Sequence, residues 1–366
     1  MKEKILPCYA CFHQHTLSSD VNSFSVKIDS NFPIDIAKLS DANKEFQLTL
    51  DSSNNIDSTK GPILAWRDPH NPPSSQDEVT HLELMKKYQI PFIFDIHTHF
   101  FPASVMRAIW KWFDGVDWGI TYRGNEQYRL DALARNKIEY FTSLNYAHKA
   151  NMAEGLNQWV YDTHKDTKNM IRFGTFYPEE GVEVYVKKAV EEFRFQGFKL
   201  HCEVSKLNLN LPELKSTFQY LEEKQIPILI HTGTAPLPGE FTGIKYFHPF
   251  MKSYPNLKVI VAHMGAYELE EYASLLEIYP QLGLDTTMVF VDYLATGRNP
   301  DNYISNLEKY SDRIYFGSDF PNIPYNLSHP ISKILNFSLS IEAKQKKCLQ
   351  FVWNCDLMIR RIESRL

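Results

Sequence analysis

Hydrophobic positions follow two patterns along the chain, and the second pattern begins near Pro91. From there, short runs of β-branched and aromatic residues alternate with longer stretches that mix apolar and charged residues, as amphipathic helices do. Eight such runs are predicted strands, at 92–97, 139–145, 171–177, 195–201, 226–231, 257–263, 282–287 and 313–318. Eight strands with intervening helices predict an α/β fold, a (β/α)8 TIM barrel over residues 91–366, with a doubly wound open sheet as the alternative.

Residues 1–90 show a different texture, rich in Ser, Asp and Asn. Short alternating pieces at 24–28 and 46–50 predict small β-strands, and a polar, proline-bearing linker follows at 69–76. Such strands are too short and polar to bury a substantial core alone. We therefore expect a small N-terminal β-rich appendage, which packs on the barrel or forms a subunit contact, as in a homodimer.

Composition limits the functional classes. The chain has 366 residues, of which 43% are hydrophobic and 23% charged, as in an ordinary globular enzyme. A net charge of −5 argues against nucleic acid or an anionic membrane as a partner, and leaves a small-molecule substrate. The first residues lack the apolar core of a secretory signal, and five cysteines, an odd number, suit a reducing compartment, so a cytoplasmic location is expected.

Polar residues stand at the ends of several predicted strands. His97 and His99 are separated by one residue, so that in an extended chain both side chains project to the same side. His231, His263 and Asp319 end three later strands. Because the carboxyl ends of barrel strands share one face, these side chains should converge there.

Three imidazoles and one carboxylate, from His97, His99, His231 and Asp319, form a ligand set suited to a divalent metal ion. Zinc suits them best, and manganese, iron or cobalt would be accepted. Such an ion lowers the pKa of a bound water from about 15.7 towards 7, which makes metal-activated water available for hydrolysis. His263 is then the natural general acid or base, and Asp319 is a second catalytic candidate because it can hydrogen-bond the water.

Four further residues are candidates for substrate binding. Lys199 and His201 alternate with apolar residues in strand four and should both point inward; a carboxylated Lys199 bridging two metals, or a lysine paired with a buried acid, are alternatives. Arg123 follows an aromatic segment from Ile109 to Tyr122, which either forms a pocket wall or packs a helix on the barrel. His148 lies just beyond strand two, at the catalytic face.

At these motifs the chain resembles the amidohydrolase-related family, the branch of the amidohydrolase superfamily that includes aminocarboxymuconate semialdehyde decarboxylase. The matching pieces are Asp95-Ile96-His97-Thr98-His99, Gly197-Phe198-Lys199-Leu200-His201, Ile230-His231-Thr232-Gly233, Ala262-His263-Met264-Gly265-Ala266 and Phe316-Gly317-Ser318-Asp319-Phe320-Pro321. The resemblance covers about residues 92–366. It implies that His97, His99, His231 and Asp319 are metal ligands and that His263 is the catalytic histidine.

This family contains both hydrolases and non-oxidative decarboxylases on the same site, so its motifs leave the reaction open. Strand five continues here as Thr232-Gly233-Thr234-Ala235-Pro236, where the decarboxylases tend to carry proline and tryptophan. This departure favours a metal-dependent hydrolase of a small cyclic or amide-like substrate, a lactone or an amide. The alternative is a metal-dependent decarboxylase of an aromatic or muconate-type acid.

Overall fold

The computed structural model of the protein describes residues 81–115, 118–235, 238–291 and 303–349, together with the backbone of 5–7, 14–17, 23–26, 47–48 and 75–80. Near the N-terminus a four-stranded sheet contains β1 (Ile5–Pro7), β2 (Gln14–Leu17), β3 (Ser23–Val26) and β4 (Gln47–Leu48). β3 and β4 fall on the two strands predicted there. The first two pairs are antiparallel and the third is parallel.

The first helix, α1 (Ser75–Lys87), begins where the predicted linker ends; the linker positions 69–74 lie outside the described residues. Met85 is buried in the main core, and α1 packs against a helix near the other end of the chain, α10 (Ser328–Asn336). Part of the range that the sequence assigns to the appendage therefore covers the barrel as a helix.

Eight parallel strands form one continuous sheet in chain order. They are β5 (Ile93–Asp95), β6 (Ile138–Ser143), β7 (Met170–Gly174), β8 (Gly197–His201), β9 (Ile228–His231), β10 (Val259–Val261), β11 (Leu282–Asp285) and β12 (Ile314–Tyr315). The first and last strands meet, because Ile96 N–H donates to Phe316 O at 3.1 Å and Thr98 bridges Phe320 in parallel. The predicted (β/α)8 barrel is confirmed, and each predicted strand overlaps an observed one.

The remaining helices surround this barrel. They are α2 (Ala103–Gly115), α3 (Glu126–Arg135), α4 (Ala153–His164), α5 (Val182–Glu191), α6 (Lys215–Glu223), α7 (Ile244–Ser253), α8 (Leu269–Ile278), α9 (Ile304–Lys309) and α11 (Ile341–Leu349). Each packs one apolar stripe inward, as α10 does with Ile331, Ile334 and Leu335, three and four residues apart. None of the helices that the described residues form has both the length and the apolar character that a membrane span requires.

Alternate strand residues divide the core into two layers. Phe94, Phe173, Leu229 and Ile260 belong to an apolar cluster inside the barrel, whereas their strand neighbours join the larger cluster under the helices. Lys199 has the inward parity that the sequence predicts and is completely buried. The apolar interior ends where the polar strand ends begin, and this boundary positions the site.

Candidate active site

The predicted site residues lie around the carboxyl ends of the strands. His97 and His99 follow β5, Lys199 and His201 close β8, His231 is the last residue of β9, His263 follows β10 and Asp319 follows β12. All seven line one cavity of about 590 Å³. The structure thus brings together residues that are more than 200 positions apart in the chain.

Three of the histidine rings are oriented in the same way. His97 Nδ1 lies 2.9 Å from Asp285 Oδ2, His99 Nδ1 is 3.0 Å from Leu144 O, and His263 Nδ1 is 2.9 Å from Thr287 O. A carbonyl or carboxylate oxygen only accepts hydrogen bonds, so each Nδ1 must carry the proton and donate it. In the neutral form of such a ring, Nε2 presents a lone pair; at His99, however, Nε2 lies 2.9 Å from Asp319 Oδ1, a contact that needs a proton or a metal ion between the two atoms.

Asp319 lies between these nitrogens. Its Oδ1 is 2.9 Å from His99 Nε2 and 3.3 Å from His97 Nε2. The surrounding histidines hold the pKa of Asp319 well below its ordinary value in spite of burial, so the group is a carboxylate. Ligand atoms of His97, His263 and Asp319 all lie within 4.8 Å of one another.

The donor set fits a divalent metal ion. Burial lowers the pKa of His97 to about 3, so its ring is neutral, the form that binds metals. His99 Nε2 and the ionised Asp319 Oδ1 face each other at 2.9 Å, and either a proton on the ring or a shared metal ion satisfies this contact. The outward nitrogens of the imidazoles are held by oxygen acceptors, as is usual for metal-ligating histidines.

The amine of Lys199 lies beside the proposed metal ligands. Its Nζ is completely buried and lies 3.3 Å from His97 Nε2, to which it donates. Burial lowers the pKa of Lys199 to about 8, against the attraction of Asp285 and Asp319. Because the hydrogen bond from Lys199 uses the lone pair of His97 Nε2, a metal ion bound to that nitrogen would displace the Lys199 ammonium from it.

His231 and His201 differ from the other three rings. His231 Nε2 lies 2.9 Å from Ala235 O and so carries the proton, while His201 Nδ1 accepts from Val204 N–H at 3.3 Å. Their rings stack at 4.0 Å because the two residues are paired in register between β8 and β9. Neither His231 nor His99 belongs to the group of ligand atoms within 4.8 Å of one another, and the roles of both as metal ligands stay predictions.

The loop after β10 has an unusual backbone. His263, Met264 and Ala266 have φ of 56°, 49° and 57°, a region that non-glycine residues adopt at a cost. Asp285 Oδ1 holds this turn, since it accepts from His263 N–H at 2.8 Å and from Thr287 N–H at 3.1 Å. This strained backbone conformation turns the His263 ring towards the cavity.

A second buried carboxylate joins the loops that carry His97 and Asp319. Asp95 Oδ1 accepts from His97 N–H at 3.0 Å and from Ser318 N–H at 3.1 Å. Burial raises the pKa of Asp95 to about 7. These two bonds fix the ligand loops after the first and the last strand relative to each other.

Aromatic side chains form much of the cavity wall. Trp112, Phe113 and Trp118 from the predicted aromatic segment line it, together with Phe101 and Tyr146. Tyr122 instead packs on Phe320, and its hydroxyl accepts from Leu327 N–H at 3.0 Å. The segment thus combines a pocket wall with structural packing, residue by residue.

The two remaining substrate candidates differ in position. His148 is exposed and lines the cavity, as expected from its place after β6. Arg123 is not among the lining residues; it forms an ion pair with Asp114 in bidentate fashion at the surface. The structure therefore does not bring Arg123 to the site.

Sequence reasoning missed Asp285 and Asn322. Asp285 ends β11 in Leu282-Gly283-Leu284-Asp285, so the signal was the same one that identified His231, a polar residue closing an apolar strand. Asn322 lies three residues after Asp319 and lines the cavity, and its short motif carried no signal of its own. Its contacts come from a segment about 200 residues away.

Comparison with known proteins supplies a family. A family model described as amidohydrolase matches residues 94–348. An uncharacterised TIM-barrel protein from Bordetella bronchiseptica matches with a TM-score of 0.59 and 14% identity, covering 74% of this chain and 99% of that one. No curated protein matches.

Two 5-carboxyvanillate decarboxylases also share the fold. The protein from Novosphingobium aromaticivorans, crystallised with manganese and 4-hydroxy-3-methoxy-5-nitrobenzoic acid, has a TM-score of 0.51 and 14% identity over 70% of this chain and 94% of its own. The protein from Sphingomonas paucimobilis has a TM-score of 0.50 and 12% identity over 71% and 97%. At these identities the likeness concerns the fold alone.

Proposed function

We propose that this chain, which belongs to the amidohydrolase family, is a metal-dependent hydrolase of a small cyclic or amide-like substrate, a lactone or an amide. The observation that carries the proposal is the meeting of His97, His263 and Asp319 at the floor of one cavity. A metal-dependent hydrolase needs ligands for a cation and a proton carrier beside them, and this floor offers both kinds of group.

The ion would be held by His97, His99 and Asp319, with His231 as a further ligand and zinc as the expected metal. When bound, a divalent ion supplies Lewis-acid polarisation of the substrate carbonyl and a water molecule that ionises near neutral pH. Asp285 and Leu144 O keep two of the ligand rings in the tautomer that binding requires.

His263 is the proposed general base and acid. Its Nδ1–H is donated to Thr287 O, so Nε2 can take a proton from the attacking water and return it to the leaving oxygen or nitrogen. Water thereby adds across the acyl bond, with hydroxyl going to carbon and the proton to the leaving atom. The rigid turn after β10 holds this nitrogen in place.

Further donors surround the place where negative charge would develop. Burial and the charge of Asp319 raise the pKa of Tyr146, so that its hydroxyl stays protonated. His201 carries its proton on Nε2 because Nδ1 accepts from the backbone, and burial together with the neighbouring His231 and Lys199 holds its pKa well below the ordinary value. Both groups line the cavity as neutral donors, which suits an oxyanion.

Decarboxylation of an aromatic acid is the second candidate. It is favoured by the aromatic wall, with Phe101, Trp112, Phe113 and Trp118, and by the fold shared with decarboxylases of an aromatic acid. In that reaction His263 would have to deliver a proton to carbon, and carbon dioxide would leave. The two reactions therefore require opposite starting protonation states of the same ring.

The test combines metal analysis with a substrate panel. Protein purified with supplemented zinc, manganese, iron or cobalt is assayed for ring opening of dihydrocoumarin, cleavage of acetanilide and carbon dioxide release from 5-carboxyvanillate. Hydrolysis that requires the bound metal supports the proposal. Carbon dioxide release without any hydrolysis would establish the decarboxylase instead, and absence of bound metal after every supplementation would exclude the proposed chemistry.

A further inference from the structure

Asn322 connects the loop of Asp319 to the aromatic wall. Its side-chain Oδ1 is 3.2 Å from Trp110 Nε1, and its carbonyl oxygen accepts from Trp118 Nε1 at 2.8 Å. Its own N–H donates to Asp319 O at 3.0 Å. Asn322 is only 3% exposed, and what remains exposed faces the cavity that it lines.

The tryptophan at 110 determines how the Asn322 amide is turned. An indole N–H only donates hydrogen bonds, so the atom 3.2 Å away must be the amide oxygen and not the nitrogen. The opposite orientation would set two donors against each other. Nδ2 consequently points away from Trp110.

Among the residues that the structure describes, none accepts a hydrogen bond from Nδ2 of Asn322. Nδ2 of Asn322 is not among the buried side-chain atoms that lack a partner, so this donor belongs to the small part of the side chain that is open to the cavity. In a cavity, that donor can be satisfied by a ligand. Trp110 thus orients the side-chain amide of Asn322, and Trp118 fixes its backbone, so that Nδ2 is available as a donor in the cavity.

We propose that Asn322 binds the substrate, its Nδ2 donating a hydrogen bond to a carbonyl oxygen of an aromatic compound. The aromatic part would lie against the wall of Phe101, Trp112 and Trp118, which offers ring faces and edges. This inference rests on the proposed function and narrows its substrate class to aryl lactones and aryl amides. Asn322 would recognise the carbonyl oxygen of these substrates, and the aromatic wall would recognise their ring.

The experiment uses two probes that are neither hydrolysed nor decarboxylated, acetophenone and ethylbenzene, which differ by one carbonyl oxygen. Binding to the metal-loaded protein is measured by calorimetry. The wild type should bind acetophenone more tightly than ethylbenzene. Asn322→Leu, which keeps the size of the side chain and removes the donor, should weaken acetophenone about fivefold and leave ethylbenzene unchanged, the worth of one neutral hydrogen bond.

Two further variants separate binding from structure. Asn322→Asp keeps an oxygen for Trp110 and both backbone contacts while replacing the donor, so it should fold and lose the preference for acetophenone by tenfold or more. Asn336→Asp makes the same chemical change at an exposed position of α10 and should bind both probes as the wild type does.

The outcomes are decisive for Asn322 separately from the reaction. Equal weakening of both probes in Asn322→Asp would show a purely structural role, and unchanged acetophenone binding, or none in the wild type, would also overturn the inference. The proposed hydrolase function is tested separately. It would be contradicted if the wild type showed the difference between the two probes but hydrolysed neither dihydrocoumarin nor acetanilide.

Discussion

Asp285 Oδ2 lies 2.9 Å from His97 Nδ1, which connects the end of the seventh barrel strand to the first histidine of the site. Both side chains are completely buried or nearly so, at 0% and 1% exposure. Interactions with the ring of His97 and with His263 lower the pKa of Asp285 to about 2 against the effect of burial, so it remains a carboxylate. One carboxylate therefore orients the ring of His97 and, through Oδ1, the backbone of His263.

Substitution of this carboxylate should weaken metal binding indirectly. In Asp285→Asn, the amide can donate towards Nδ1 of His97 and so favour the wrong tautomer. Metal affinity should fall 10–100-fold, as it does when outer-shell partners of histidine ligands are removed. Competition with a chelator measures the change. Asp131→Asn, on the exposed face of α3, is the matched control, and equal affinities in the two variants would contradict an orienting role for Asp285.

Removal of a proposed ligand should abolish metal and activity together. His97→Ala and Asp319→Ala each delete a group from the converging set, and we expect less than stoichiometric metal by elemental analysis and no measurable turnover. His248→Ala removes a histidine of α7 outside the cavity lining and should retain both. A metal-free Asp319→Ala protein with wild-type activity would contradict the assignment.

His263 should behave differently from the ligands. Because we assign it proton transfer, His263→Ala should retain most of the metal and lower kcat by about 10² or more. Its ring lies within ligand distance of His97 and Asp319, so metal content is the discriminating measurement. Loss of the ion in this variant would make His263 a ligand and remove it as the proton carrier.

Gly317 is a point at which a single methyl group should disturb the site. A Cβ added there would overlap Thr287 Oγ1 and lie 2.8 Å from His97 Cβ. Gly317→Ala should lower the melting temperature and metal affinity together. Gly155→Ala, within α4, is the control, because the added Cβ meets nothing within 4 Å among the described residues. The free energy of unfolding of this variant should rise by about 0.5–1 kcal/mol. An unaffected site in Gly317→Ala would show that the loop after β12 yields easily.

Lys347 should make stability depend on pH. Burial lowers its pKa to about 7, from an ordinary 10.5, although Nζ donates to Ser311 O at 3.0 Å. Between these pH values the unfolded chain binds a proton that the folded protein releases, so stability should rise with pH across this window by roughly 1 kcal/mol per unit. Below pH 7 the penalty of the buried charge is complete.

Denaturant unfolding at several pH values measures this slope. Lys347→Met should flatten it between pH 7 and pH 10.5, whereas Lys346→Met, at the neighbouring and partly exposed position paired with Glu342, should keep it. The same slope in Lys347→Met as in the wild type would show that the buried amine is not its source.

The sequence predicts the barrel well because apolar runs and strand ends are local signals. His97, His99, His231, His263 and Asp319 each follow a run of buried residues, so the parallel strands bring all five to one end of the barrel. What cannot be read locally is orientation, because His97, His263 and Asp319 lie beyond the last strand residues and the turns there, with positive φ at His263 and Asp319, direct their side chains. Which nitrogen of each ring faces the site depends on oxygen acceptors from other loops.

Arg123 and Asn322 illustrate this limit from opposite sides. A cationic side chain next to an aromatic segment suggested substrate binding, but Asp114, nine residues earlier, occupies Arg123 at the surface. Asn322 had no pattern to distinguish it, and its importance comes from two indole groups that tertiary structure places against it. In both cases the deciding partners, Asp114 and Trp110, belong to α2.

The floor and the wall of the cavity have different origins in the chain. The floor is collected from the ends of five strands, β5, β8, β9, β10 and β12. Much of the wall comes from a single stretch that starts at Phe101 and includes α2 and Trp118. Exchanging that stretch for another would change which compounds the cavity accepts and leave the reacting groups in place. The same barrel and reacting groups can therefore serve enzymes whose substrate specificity differs through this one segment.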